Sequence, residues 1–224
     1  MRIAALDIGG TSIKSGIWNG QELTEVKERD TEAKKGASHV VEQVLEILRS
    51  YSPFDGVGIS TAGQVNSVEG YIRYANENIP GYTGTRLRDI VESGFGVPAA
   101  IENDVNAAAL GEAVWGAGRS YEDFLCLTYG TGVGGAVIIG KKIYSGSMFS
   151  AGEFGGMVVH PESCRAGEPF CGCYEKYASA TALVEEAKKY DKSLTNGRQI
   201  FARFQEPQVH LIVDRWIEEI VHGL

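Results

Sequence analysis

Residues 6–11 read Leu-Asp-Ile-Gly-Gly-Thr, and residues 127–132 read Leu-Thr-Tyr-Gly-Thr-Gly. In both stretches an apolar strand pattern runs into a turn with two glycines and a threonine, and a second strand pattern follows. The same layered unit therefore begins twice, first at the start of the chain and again near residue 119. The sequence predicts an α/β protein made of two related domains, residues 1–118 and 119–224.

Hydrophobic spacing predicts the elements around these turns. Residues 38–48 carry apolar side chains at helical spacing and predict an amphipathic helix. Residues 64–85 mix tyrosines with Asn, Gly and Pro, so we expect a long irregular loop there. Apolar runs predict strands over 54–60 and 97–101, and helical spacing predicts helices over 104–115, 178–190, 197–204 and 209–221.

Composition narrows the functional class. The chain has 224 residues, 43% of them hydrophobic, and a formal net charge of −8. This acidic balance, without a Lys/Arg run, argues against nucleic acid as the main partner, because a phosphate backbone needs a concentrated basic surface. No signal peptide or membrane-spanning stretch is recognisable, so we expect a cytoplasmic protein without a membrane partner. In that setting the four cysteines are expected to be thiols or metal ligands.

Three adjacent polar residues, Glu102, Asn103 and Asp104, stand where the predicted strand gives way to a helix. Open α/β sheets bind their ligands at such strand ends. Asp104 could therefore be a catalytic base, or it could only cap the helix by accepting a backbone N–H. The local pattern alone favours the cap.

The two glycine turns are candidates for phosphate binding. Backbone N–H groups in a tight turn can surround an anion, and a threonine hydroxyl adds a donor, although a single such turn is usually just a hairpin. Asp7 could hold Mg²⁺ through water, or it could cap the turn. Lys14 could reach a phosphate or lie in solvent. Glu153 and Glu175 could accept hydrogen bonds from sugar hydroxyls, although Glu175 equally suits the N-terminus of the next helix.

Together these motifs resemble the ROK family of sugar kinases and related repressors in the actin-like ATPase superfamily. Residues 7–14 resemble its first phosphate motif, residues 127–135 its second, and residues 102–104 its catalytic signature. The resemblance implies an actin-like (ribonuclease H-like) fold of duplicated α/β domains with a cleft between them. It also implies ATP-dependent phosphorylation of a hexose, a β-glucoside or N-acetylmannosamine, with Asp104 activating a primary hydroxyl towards Mg-ATP, and commonly a homodimer.

The same resemblance assigns the remaining site residues. Those expected to contact the sugar are Gly63, Asn103, Asp104, Glu153 and Glu175. Those expected to bind nucleotide phosphates are Asp7, Gly9, Gly10, Thr11, Lys14, Thr128, Gly130, Thr131 and Gly132, with Asp7 also on Mg²⁺ through water.

This sequence departs from the family pattern at the expected zinc site. The family has Glu-x-Gly-His, whereas Gly156 stands here at the histidine position, and only Cys173 aligns with the family's cysteines. A set of His160, Cys164, Cys171 and Cys173 could still bind zinc, but a metal-free loop is the favoured prediction. Gly156 also leaves space near the anomeric end of the expected sugar, so a glucoside or disaccharide could be accepted.

The second departure lies at the end of the chain. Family members continue into a segment that holds the adenosine, so we expect the second domain to be incomplete and ATP binding to be weak. Two alternatives remain, a non-catalytic sugar-binding protein and a sugar-responsive regulator of the same family. A regulator would carry a DNA-binding motif ahead of Asp7, and we expect no space for one.

Overall fold

The computed structural model describes residues 1–164 and 171–224, and the chain divides into two units. The first contains residues 1–111 and 146–150, and the second contains residues 112–145 and 151–224. The domain boundary predicted from the sequence, between 118 and 119, lies a few residues after this division.

The first unit is built on a five-stranded mixed sheet in the order β3-β2-β1-β4-β7. β1 pairs antiparallel with β2 and parallel with β4, which pairs parallel with β7. The strands are β1 (Ile3–Ile8), β2 (Ser12–Trp18), β3 (Leu23–Asp30), β4 (Gly56–Thr61), β5 (Gln64–Asn66), β6 (Tyr71–Tyr74) and β7 (Ala99–Asn103). The helices are α1 (Ala37–Tyr51), α2 (Leu87–Phe95) and α3 (Asp104–Val114), the last of which runs across the division between the units.

One face of this sheet makes the core of the first unit. Alternate residues of β1, Ala4, Leu6 and Ile8, are buried, and the apolar side of α1 is buried in the same hydrophobic cluster. The helix predicted over 38–48 is therefore confirmed as α1. The irregular loop predicted over 64–85 was wrong in part, because β5 and β6 pair there as a short antiparallel hairpin.

The second unit repeats the opening of the first. Its three-stranded antiparallel sheet has the order β10-β9-β8, and four helices follow. The strands are β8 (Phe124–Tyr129), β9 (Val133–Ile139) and β10 (Lys142–Ile143), and the helices are α4 (Glu175–Ala178), α5 (Ala180–Tyr190), α6 (Gly197–Ala202) and α7 (Pro207–His222). Buried apolar residues of the last three helices, among them Leu183, Ile200 and Val213, form a second core. No helix in the described part of the chain is long and apolar enough to span a bilayer.

Candidate functional site

The C-terminal ends of the three parallel strands bring most of the first unit's predicted residues together. Ile8 of β1 pairs with Thr61 of β4, which pairs with Asn103 of β7. The glycine turn follows the first of these strands, Gly63 follows the second, and Asp104 follows the third. Residues far apart in the sequence therefore share one edge of the sheet, the position at which α/β sheets bind ligands.

A row of polar side chains crosses the sheet just before this edge. Asp7 pairs in register with Lys14 on one side and with Ser60 on the other, and Ser60 pairs with Glu102. Residues paired in this way point to the same face of the sheet. Ser60 Oγ donates a hydrogen bond to Asp7 Oδ1 at 2.8 Å, which fixes the carboxylate at the strand end. Lys14 is exposed beside it.

The first glycine turn is held from behind by Thr31, a buried residue that the sequence did not single out. Thr31 Oγ1 donates to the Gly9 carbonyl at 2.7 Å, and Thr31 N donates to the Thr11 carbonyl at 2.9 Å. Gln43 Nε2 in turn donates to the Thr31 carbonyl at 2.9 Å. In the sequence, this role of Thr31 is indicated only by its position directly after an exposed edge strand.

The front of this turn is open. Gly10 and Thr11 are exposed, and within the described ranges their backbone N–H groups have no acceptor. A β-carbon at Gly10 would meet no atom within 4 Å, and its φ is not positive. Neither packing nor backbone conformation therefore requires glycine at this position. Closely approaching backbone and unused N–H groups are what a phosphate-binding turn provides.

Asn103, rather than Asp104, caps helix α3. Asn103 Oδ1 accepts the N–H groups of Val105 at 2.9 Å and of Asn106 at 3.1 Å, which is the capping geometry. Its Nδ2 donates to the Gly63 carbonyl at 3.0 Å and to Asp104 Oδ1 at 2.8 Å. Asp104 is the first residue of the helix, and its carboxylate is oriented by its neighbour.

Gly63 is required for this arrangement. Its φ is +99°, and a β-carbon there would lie 2.8 Å from the Tyr74 carbonyl oxygen. Only glycine adopts this conformation easily. The Gly63 carbonyl is thereby aimed at the Asn103 amide, so in the first unit the predicted sugar-site residues Gly63, Asn103 and Asp104 lie together.

The Asp104 carboxyl has a raised pKa. Part of the side chain is open to solvent, but the surrounding protein removes enough water to raise its pKa above the usual range. The negative charge of Asp7 raises the pKa further, whereas hydrogen bonds from Val105 and Asn103 lower it. A carboxylate with a raised pKa is a better proton acceptor, which suits a general base.

This electrostatic coupling predicts a pH effect. In Asp7→Asn, we expect the acidic limb of the kcat/KM profile to move to lower pH, because removing a nearby negative charge eases the ionisation of Asp104. The residual activity would be measured across the acidic range. Asp55→Asn, at an exposed carboxylate near the N-terminus, is the control and should leave the limb in place. An unmoved limb in Asp7→Asn would contradict the coupling.

The second glycine turn brings Glu175 close to its backbone. Gly130 N donates to the Gly132 carbonyl at 2.9 Å, and Ala180 N donates to the Gly130 carbonyl at 3.0 Å. A β-carbon at Gly132 would lie 2.3 Å from Glu175 Oε2. Glu175 is also the first residue of α4. The structure thus places this predicted sugar ligand against the turn. The other predicted residues of this turn are Thr131, exposed, and Thr128, half-buried on β8.

Glu153 lies in a glycine-rich segment that packs directly on strand β9. A β-carbon at Gly135 would lie 2.8 Å from the Gly152 carbonyl oxygen, and one at Gly155 would lie 2.3 Å from the Val133 carbonyl oxygen. These glycines allow backbone to contact backbone. They hold Glu153, which is exposed, at a fixed place beside the strand that follows the second glycine turn.

The four residues considered from the sequence as an alternative zinc set do not form a metal-binding group among the described residues. Within residues 1–164 and 171–224, the group with ligand atoms close enough for one ion contains His160 but no cysteine. Cys164 Sγ donates instead to the Cys171 carbonyl at 3.0 Å, and Cys173 is buried.

Several known proteins that are similar to this chain are named as sugar kinases. The ROK family model matches residues 3–224. A β-glucoside kinase of Listeria monocytogenes is 33% identical over the whole chain, which spans 76% of that protein. A glucokinase of Streptomyces coelicolor is 36% identical over 82% of the chain and 58% of its own length.

A solved structure agrees with these relatives. The ROK family glucokinase of Streptomyces griseus, in complex with glucose and AMPPNP, has a TM-score of 0.82 and 30% identity to this chain. The comparison covers the whole chain and 78% of the glucokinase. The actin-like α/β fold predicted from the sequence is confirmed. The chain therefore belongs to the ROK family, among its ATP-dependent sugar kinases.

Proposed function

We propose that this protein transfers the γ-phosphoryl group of ATP to a primary hydroxyl of a hexose or β-glucoside. Asp104 accepts the hydroxyl proton as the sugar oxygen bonds to the γ-phosphorus. The bond between this phosphorus and the bridging oxygen breaks, and ADP leaves. The observation that carries the proposal is the Asp104 carboxylate at a strand end, whose Oδ1 accepts hydrogen bonds from Asn103 Nδ2 and from the Val105 N–H.

The open N–H groups of Gly10 and Thr11 in the first glycine turn would bind phosphate, and the second turn, residues 130–132, is assigned to phosphate from the family resemblance alone. Mg²⁺ fits Asp7, a carboxylate at the strand end whose Oδ1 is fixed by Ser60, because hard cations prefer such oxygens. When bound with ATP, the ion neutralises phosphate charge. Asn103 would orient the Asp104 carboxylate towards the sugar hydroxyl, and Glu153 and Glu175 would accept hydrogen bonds from further hydroxyls.

A β-glucoside is the acceptor that we favour. A β-carbon at Gly156 would meet nothing within 4 Å, so the position of the family's histidine is open space. An aglycone or second sugar needs such space beyond the anomeric carbon. The similarity to the β-glucoside kinase of Listeria monocytogenes, over the whole chain, supports the same choice.

The function is tested by ADP release across a panel of glucose, N-acetylmannosamine, cellobiose and an aryl β-glucoside. We expect a higher kcat/KM for at least one β-glucoside than for either free monosaccharide. A strong preference for glucose or N-acetylmannosamine over every β-glucoside would contradict the proposed preference for β-glucosides. Sugar binding without ADP release would favour the non-catalytic sugar-binding alternative.

Refilling the open position should change specificity. In Gly156→His, we expect the kcat/KM ratio of β-glucoside to glucose to fall about tenfold or more, because the imidazole would occupy the aglycone space. The thermal midpoint should stay close to that of the wild type, since the new side chain starts in open space. Gly156→Ala is the control and should shift the ratio much less. An unchanged ratio in Gly156→His would show that the open space at residue 156 does not determine the preference for β-glucosides.

We also propose, from the resemblance alone, a cytoplasmic homodimer. Sedimentation of the purified protein at micromolar concentration distinguishes a dimer from a monomer.

A further inference from the structure

A group of two histidines and a glutamate lies in the second unit, on residues to which the kinase function assigns no role. His160, Glu219 and His222 each offer a ligand atom, and these atoms lie within 4.8 Å of one another. Glu219 and His222 stand three residues apart on α7, so they share one face of the helix. His160 comes from the segment that follows Glu153.

His160 contacts a glutamate through each of its two ring nitrogens. His160 Nε2 lies 2.7 Å from Glu219 Oε2, and the His160 side chain is only 18% exposed. Its other nitrogen, Nδ1, lies 2.8 Å from Glu162 Oε1. A histidine that binds a metal through one nitrogen almost always donates its other N–H to a carboxylate, carbonyl or water. Glu162 supplies that carboxylate, so the arrangement has both ligands and an outer partner.

The chemistry of the set favours a transition metal. Imidazole and carboxylate are ligands for Zn²⁺, which accepts two histidines and one glutamate with a fourth position left to water. With neutral histidines, Glu162 and Glu219 give the group two negative charges, matching a divalent cation. The His222 ring lies 5.4 Å from the His160 ring between centroids, so both imidazoles can approach one ion.

We propose that His160, Glu219 and His222 bind one Zn²⁺-like ion, with Glu162 as the outer partner of His160. This set differs from the cysteine-containing one considered from the sequence, with which it shares only His160. The site joins the end of α7 to the segment over residues 157–164. Because Tyr174 N donates to the Met157 carbonyl at 2.7 Å, that segment is tied to the residue preceding Glu175.

The test measures Zn²⁺ binding by equilibrium dialysis and thermal unfolding with and without a chelator, both independent of kinase activity. We expect one Zn²⁺ per wild-type chain and a higher thermal midpoint with the metal. His222→Asn and Glu219→Gln should each weaken Zn²⁺ binding more than about tenfold, and Glu162→Gln by about 10- to 100-fold. His222 is exposed, so its substitution should leave the fold intact.

Two controls separate this site from other sources of binding. His210→Asn removes an exposed histidine of the same helix, which pairs with Asp214 and packs on Phe204, and it should leave Zn²⁺ binding unchanged. The double variant Cys164→Ser, Cys171→Ser should also retain binding. Loss of binding in the cysteine variant but not in His222→Asn would overturn the proposal. Absence of Zn²⁺ binding by the wild type would also contradict the proposal, and the contacts of His160 with Glu162 and Glu219 would then be ion pairs without a metal.

Discussion

Replacing Asp104 by asparagine is expected to lower kcat by about 10²- to 10⁴-fold, the range that a general base contributes. The asparagine keeps the oxygen that accepts the Val105 N–H, so helix α3 and the sugar contacts should persist. The KM for the sugar should therefore change little. Steady-state ADP release and sugar binding by calorimetry measure these two effects separately.

Asp89→Asn is a matched control for this substitution. Asp89 is also an aspartate in the first turn of a helix, α2, and it pairs with Arg86 on the surface. Both substitutions remove a negative charge that favours a helix N-terminus, worth about 0.3–1 kcal/mol at exposed sites. Only Asp104→Asn should reduce kcat. Equal rates in the two variants would assign Asp104 a purely structural role.

Gly10→Ala is expected to raise the KM for ATP by about tenfold or more, while the thermal midpoint stays unchanged. The added methyl group meets nothing within 4 Å in the protein, so the fold tolerates it. It would occupy space that a phosphate needs in order to approach the unused N–H groups, and a lost hydrogen bond to a charged group costs about 1.5–3 kcal/mol. ATP titration of ADP release and a thermal melt measure the two quantities.

Gly111→Ala makes the same chemical change in an equally open place. A β-carbon at Gly111 also meets nothing within 4 Å, but this glycine lies within helix α3. Alanine should stabilise the helix by up to about 1 kcal/mol and leave the KM for ATP unchanged. If Gly10→Ala retained wild-type ATP affinity, the first turn would be an ordinary hairpin.

The features that could be predicted from the sequence are those with a local cause. Helix α1 could be predicted from the helical spacing of its apolar residues. The strand end before Asp104 could be predicted because the spacing of apolar residues changes there from that of a strand to that of a helix. The β5–β6 hairpin could not be predicted, because its strands are only three and four residues long. The local pattern placed the cap of α3 one residue too late, since asparagine and aspartate both suit an N-cap and only the hydrogen bonds from Val105 and Asn106 identify Asn103.

The missed site residues depend on distant pairing. Ser60 reaches Asp7 across 53 residues, and Thr31 reaches Gly9 across 22 residues. His160 meets Glu219 across 59 residues, so no spacing rule could join them. The family resemblance supplied the catalytic assignment, but it carried no information about the group on α7.

The hydrogen bonds behind the first glycine turn bear on the entropy of ATP binding. Gln43 of α1 bonds to Thr31, whose hydroxyl and N–H hold both sides of the turn. The N–H groups of Gly10 and Thr11 are thus ordered in the folded chain, so under the proposed function a nucleotide would not have to immobilise the loop when it binds. Nucleotide affinity should therefore respond to the packing of α1, a helix that contributes no residue to the proposed site.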